Sequence, residues 1–85
     1  MRLCMDKNEA VEAMLEIMNE DDKEFYGRSF KSDIPSFIPT LGIEIFKTFD
    51  IKNNKMLIED CCGEQIQNPE NAAYSIMVEL WERLQ

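Results

Sequence analysis

The chain lacks histidine altogether and has only three cysteines among its 85 residues. Histidine is the usual general base at neutral pH and a frequent zinc ligand, so its absence argues against most enzyme and zinc sites. Cys4, Cys61 and Cys62 are odd in number, and the two adjacent ones would form a strained disulfide. We therefore expect reduced thiols, no bound metal and no cofactor.

Long apolar runs are also missing. The sequence has no segment of about 20 apolar residues that could span a membrane, and its start lacks the apolar stretch of roughly 7 to 15 residues found in signal peptides. With 45% hydrophobic and 31% charged residues, the composition is that of an ordinary globular protein. These features predict one small domain, residues 1–85, that stays in the cytoplasm and does not enter membranes.

Motifs for nucleotide binding and catalysis are absent as well. The chain has three glycines, and neither G-x-x-x-x-G-K-[ST] nor G-x-G-x-x-G occurs. Carboxylates are plentiful, but an acid and base pair needs a cleft that raises one pKa, and a chain this small has little room for one. The thiols of Cys61 and Cys62 have no histidine to activate them. We therefore predict a non-enzymatic protein, with a cysteine enzyme as the weakest alternative.

Basic side chains are few. Nine Lys and Arg stand against 17 Asp and Glu, which gives a net charge of −8. Binding to nucleic acid depends on clustered Lys and Arg, so we expect no direct contact with nucleic acid. The acids concentrate in residues 6–24 and 57–85, whereas residues 25–56 carry more bases than acids. A basic protein is the expected partner.

Two segments have clear helix signals. Asp6 and Glu9 have the spacing of a capping box, ahead of apolar residues that recur with the period of a helix. Asn68, Pro69 and Glu70 form a strong helix start, and an apolar stripe follows them. That stripe consists of Ala72, Ala73, Ile76, Met77, Leu80, Trp81 and Leu84. We predict a helix near each end of the chain.

The segment between these helices has a different pattern. Residues 43–60 alternate apolar and polar side chains around Asn53 and Asn54, which tolerate the positive φ angles of a tight turn, so we predict a β-hairpin. Residues 23–42, interrupted by prolines, predict a short helical turn or strand followed by an extended stretch. The predicted fold is α+β, with the N-terminal and C-terminal helices packed on a small antiparallel sheet built around the hairpin 43–60.

The acidic residues near the N-terminus are the candidate binding site. They are Glu9, Glu12, Glu16, Glu20, Asp21, Asp22 and Glu24. On one continuous helix, Glu12, Glu16 and Glu20 would form a row of like charges that costs roughly 0.2–0.5 kcal/mol per neighbouring pair. Such a row either solvates the outer face of the helix or binds a basic partner. The sharper form of the second hypothesis is an inhibitor of phage type that mimics nucleic acid and blocks a nucleic-acid-binding protein.

Two other interpretations stay open. In the first, the protein is a structural or assembly module that forms a homodimer through the C-terminal helix or a sheet edge, and the acids serve solubility alone. The second concerns the aromatic and basic residues that follow the acidic segment. Phe25, Tyr26, Arg28, Phe30 and Lys31 either form an exposed patch, as in interface hot spots, or cover the core.

Overall fold

The computed structural model describes residues 6–63 and 66–85, and every regular element in these ranges is helical. The α-helices are α1 Lys7–Ile17, α2 Glu20–Arg28, α3 Ile43–Thr48, α4 Lys55–Cys62 and α5 Pro69–Arg83. A 3₁₀ segment, Lys31–Phe37, and a π turn, Ile38–Gly42, connect α2 to α3, and a short 3₁₀ turn, Ile51–Asn53, precedes α4. The predicted α+β fold is therefore wrong, and the described ranges contain no sheet edge through which a dimer could form.

The hairpin prediction for residues 43–60 is wrong because short helices explain the same pattern. Asn54 does not form a hairpin turn but caps α4, where its side-chain oxygen accepts a hydrogen bond from the Leu57 N–H at 3.2 Å. Asp50 takes the left-handed backbone conformation instead. Leu57 and Cys61, four residues apart, are both buried, as on one face of a helix. Met56, which the hairpin would have placed on its apolar face, is exposed.

Helix α5 lies at the centre of the fold and contacts every other element. It begins as predicted, because the Asn68 side chain accepts a hydrogen bond from the Asn71 N–H at 2.7 Å and Pro69 occupies the first turn. Five of the predicted stripe residues are buried: Ala72, Ala73, Ile76, Met77 and Leu80. Burying a large apolar side chain contributes roughly 1.5–3 kcal/mol, so Ile76, Met77 and Leu80 contribute several kcal/mol to stability.

Helix α1 packs along α5, and its prediction is confirmed. The Asp6 side chain accepts a hydrogen bond from the Glu9 N–H at 2.8 Å, which satisfies one of the free donors at the start of the helix. Ala10, Val11 and Met14 are buried, with the spacing of one helical face. The buried stripe therefore orients α1, whose opposite face points to solvent.

Helix α2 is tied to α5 by two hydrogen bonds that run in opposite directions. The hydroxyl of Tyr26, the only buried side chain of α2, donates to the Met77 carbonyl at 2.7 Å. The Trp81 indole N–H of α5 donates to the Ser29 carbonyl, just after α2, at 2.9 Å. Each bond joins a side chain of one helix to the backbone at the other, so the two helices hold each other in position.

The ends of the two helices also meet. Gly27 allows this approach, because a Cβ atom there would lie only 3.1 Å from the Leu84 Cβ. The Gln85 side chain donates a hydrogen bond to the Gly27 carbonyl at 2.9 Å. We call these contacts, together with the hydrogen bonds of Tyr26 and Trp81, the α2–α5 clamp.

The segment after α2 is helical, so the predicted extended stretch within residues 23–42 is wrong. Pro39 lies in the first turn of the π segment, where its fixed φ angle fits and no backbone N–H is needed. Ile34 is buried, and the ring of Phe37 packs edge-on against Tyr26 with ring centroids 4.8 Å apart. These two side chains attach the segment to the core.

Replacing Tyr26 by Phe should lower the free energy of unfolding by about 1 kcal/mol, because it removes a buried hydrogen bond and little else. Urea unfolding followed by the fluorescence of Trp81, the single tryptophan, measures this change. Tyr74→Phe is the matched control, since the Tyr74 hydroxyl makes no hydrogen bond within the described residues, and it should leave stability unchanged. Equal losses in the two variants would contradict the role of the Tyr26 hydroxyl.

Candidate binding surface

The seven predicted site residues lie on two helices. Helix α1 ends at Ile17, Met18 has an extended backbone, and Asn19 is the N-cap of α2. The residues on α1 are Glu9, Glu12 and Glu16, and those on α2 are Glu20, Asp21, Asp22 and Glu24. The expected row is therefore interrupted: Glu12 and Glu16 lie one turn apart on α1, whereas Glu20 opens the next helix.

Part of the acidic charge has a structural reason. The Asn19 side chain accepts a hydrogen bond from the Asp22 N–H at 2.7 Å, so it caps α2. Glu20, Asp21 and Asp22 form the first turn, where the helix dipole favours negative charge by typically 0.3–1 kcal/mol per group. The sequence contains this start signal, but our prediction of one continuous row missed it.

Some of these carboxylates form ion pairs with described residues and others do not. Glu20 pairs with Lys23 at 3.4 Å, and Glu24 pairs with Arg28 at 2.7 Å. Asp21 and Asp22 are exposed and make no ion pair with any described residue, and the same holds for Glu12 and Glu16 on α1. Glu9 is half-buried at the start of α1.

An aromatic ring lies among the acids of α2. The Phe25 side chain is 70% exposed, although its edge contacts Phe37 with ring centroids 5.9 Å apart. Both rings line two open grooves on either side of α2. The predicted aromatic patch is thus divided: Phe25 and Phe30 are exposed, whereas Tyr26 is buried in the core.

The two grooves beside Phe25 combine apolar floors with acidic edges. The groove towards α1 includes Met14, Met18 and Leu41, with Asp22 and Glu44 among its lining residues, and no lysine or arginine of the described ranges lines it. The groove towards the 3₁₀ segment is lined by Asp21, Glu24, Asp33 and Arg28, and this arginine is the one paired with Glu24. We call Phe25 and the carboxylates of Asp21, Asp22, Glu24 and Glu44 the α2 surface.

The thiols offer no comparable site. Cys61 and Cys62 are buried and unpaired with each other, while Cys4 lies outside the described residues. Burial, followed by the nearby Asp60 carboxylate, raises the pKa of the Cys61 thiol to about 12, so the nucleophilic thiolate is disfavoured at neutral pH. Within residues 6–63 and 66–85, no three acidic, cysteine or histidine side chains lie close enough together to hold a metal ion.

Comparison of the chain with protein-family models, with curated proteins and with solved structures found no match. The longest described helix, α5, has 15 residues, and none of the helices in the described ranges combines the length and apolar character of a membrane span.

The buried thiol predicts a loss of stability at alkaline pH. In the unfolded chain Cys61 loses its proton near pH 9.0, whereas the folded chain holds that proton until about pH 12. The folded state binds more protons between these values, so stability falls as pH rises through this window. From pH 8 to pH 10 we expect the free energy of unfolding to fall by about 1 kcal/mol more in the wild type than in Cys61→Ala.

Urea unfolding at the two pH values measures this difference within each protein, so any effect of the substitution at pH 8 cancels. A loss of the same size in both proteins would show that Cys61 ionises as readily in the folded chain as in the unfolded one.

Proposed function

We propose that this protein is a non-enzymatic binding protein of the cytoplasm whose α2 surface binds a basic partner protein. The observation that supports the proposal is the exposed Phe25 ring, with grooves on both sides. Among the residues that the structure describes, Arg28 is the one arginine that lines these grooves, and it is already paired with Glu24. An apolar centre surrounded by charge is the arrangement of many protein interfaces.

The ring and the carboxylates would contribute in different ways. Burying an exposed phenylalanine ring contributes roughly 1.5–3 kcal/mol, and large side chains at the centre of an interface provide much of the binding energy. Surrounding carboxylates add less affinity, but they raise the association rate with a basic surface and exclude acidic ones. We therefore assign affinity to Phe25 and selectivity to Asp21, Asp22 and Glu44.

Solubility alone explains the acids of α1 better than those of α2. Glu12 and Glu16 lie on the exposed face of α1, away from its buried residues Ala10, Val11 and Met14, as expected of solvating groups. Solubility does not account for the exposed Phe25 ring among the charges of α2, whereas contact with an apolar group of a partner would use it. The two helices therefore provide a matched pair of acidic sites for experiment.

Inhibition of a nucleic-acid-binding partner is the narrower form of this proposal. Because Glu20 lies on a different helix from Glu12 and Glu16, these three carboxylates do not form the expected row along one helix. An inhibitor of this kind would act by binding, through its α2 surface, to the basic surface that its partner uses for nucleic acid. In that case duplex DNA or RNA, added as a competitor, should release the captured partner.

Affinity capture from a cytosolic lysate tests the proposal. The wild type should retain a basic protein that moderate salt releases, and Phe25→Ala should lose most of it, because the central apolar contact is gone. Phe30→Ala is the matched control: Phe30 is 76% exposed and lies nearby, but it lines neither groove beside Phe25. Equal capture by all three proteins would contradict the proposal.

A second pair of variants separates specific charge from total charge. Asp21→Asn with Asp22→Asn, on α2, and Glu12→Gln with Glu16→Gln, on α1, each remove two negative charges. The α2 pair should weaken capture, and the α1 pair should not. If both pairs weaken it equally, net charge explains the binding, and the proposed surface is wrong. Circular dichroism must first show that the variants are equally helical.

A further inference from the structure

A separate apolar groove of about 440 Å³ lies between α3 and α5. Ile38, Ile43 and Tyr74 project from its sides and are 46%, 48% and 37% exposed. Ala73 and Met77, which are buried, form part of its floor. None of its lining residues also lines the grooves beside Phe25, so this α3–α5 groove is distinct from the α2 surface.

The groove faces away from α1. On α5 its lining residues are Glu70, Ala73, Tyr74 and Met77, which share one face of the helix. Helix α1 contacts α5 at Glu79, which pairs with Lys7 at 3.9 Å. Residues 70 and 79 point in roughly opposite directions, because nine residues at about 100° each bring a helix to the other side. The acids of α1 therefore do not border the groove.

The charges around the groove are balanced, unlike those of the whole chain. Among the described residues, Lys47 on the α3 side and Glu70 on the α5 side are the only charged residues that line it. With a net charge of −8, two copies of the chain repel each other over most of their surface, but they do not repel here. A strongly basic or strongly acidic partner, by contrast, would find one like charge for each opposite charge at this groove.

We propose that the α3–α5 groove is a homodimer interface, occupied by the same groove of a second copy. If the two-fold axis runs along the groove, the α3 side of one copy faces the α5 side of the other. Lys47 then faces Glu70 of the partner subunit, and the symmetry produces this ion pair twice. The projecting Ile43 and Tyr74 of each copy fill space above the small Ala73 of the other.

The mass in solution tests this inference. Sedimentation equilibrium at micromolar to millimolar concentrations should show a mass of twice 10.0 kDa for the wild type. Ile43→Asp should be monomeric, because it places an unpaired charge in the apolar groove. Met56→Asp is the matched control: Met56 is 55% exposed on α4, outside the groove, and this variant should stay dimeric.

Charge exchange tests the symmetry. Lys47→Glu and Glu70→Lys should each weaken the dimer by about tenfold through like charges facing each other, and the double variant should restore it. A wild type that is monomeric at every concentration overturns the inference. So does a dimer that survives Ile43→Asp, or one that is lost in Met56→Asp as well. Failure of the double exchange overturns the proposed two-fold arrangement.

Discussion

Two hydrogen bonds between aromatic side chains and backbone carbonyls hold α2 against α5, and the candidate binding surface depends on them. Helix α2 has nine residues and buries one side chain, so it is too short to be stable in isolation. Tyr26 and Trp81 supply both apolar area and a polar group that finds a carbonyl partner, a combination that suits a partly wet helix junction. No described buried side-chain polar atom is left without a partner, so hydrogen bonds within the clamp offset the desolvation of its polar groups.

The clamp also determines which side chains α2 presents to solvent. Neighbouring residues on a helix are separated by about 100°, so fixing Tyr26 towards α5 turns Phe25 outwards. The first turn of α2 is positioned by the same contacts, which place Asp21 and Asp22 beside the exposed ring. The acids of this turn favour helix formation and simultaneously define the charge of the surface. The same acids therefore stabilise the helix and would attract the proposed basic partner.

The parts of the fold that the sequence predicts are those with redundant local signals. Helix α5 has a cap, a first-turn proline and a long apolar stripe, and α1 has a cap and a shorter stripe. The segment 43–60 was mispredicted because its elements are too short for a period of two to be distinguished from a period of 3.6. Two features depend on contacts with α5 that local sequence does not encode. One is the burial of Tyr26 in place of Phe25, and the other is the α3–α5 groove.

Amide hydrogen exchange followed by NMR tests most directly the central claim that α2 is held in place before it meets a partner. The account predicts that the amides from Lys23 to Arg28 are protected from exchange and open together with the end of α5, because the clamp joins the two segments. If these amides exchange as fast as an unfolded peptide while α5 stays protected, α2 is not docked. The α2 surface would then lack the fixed geometry that binding through Phe25 and its neighbouring carboxylates requires.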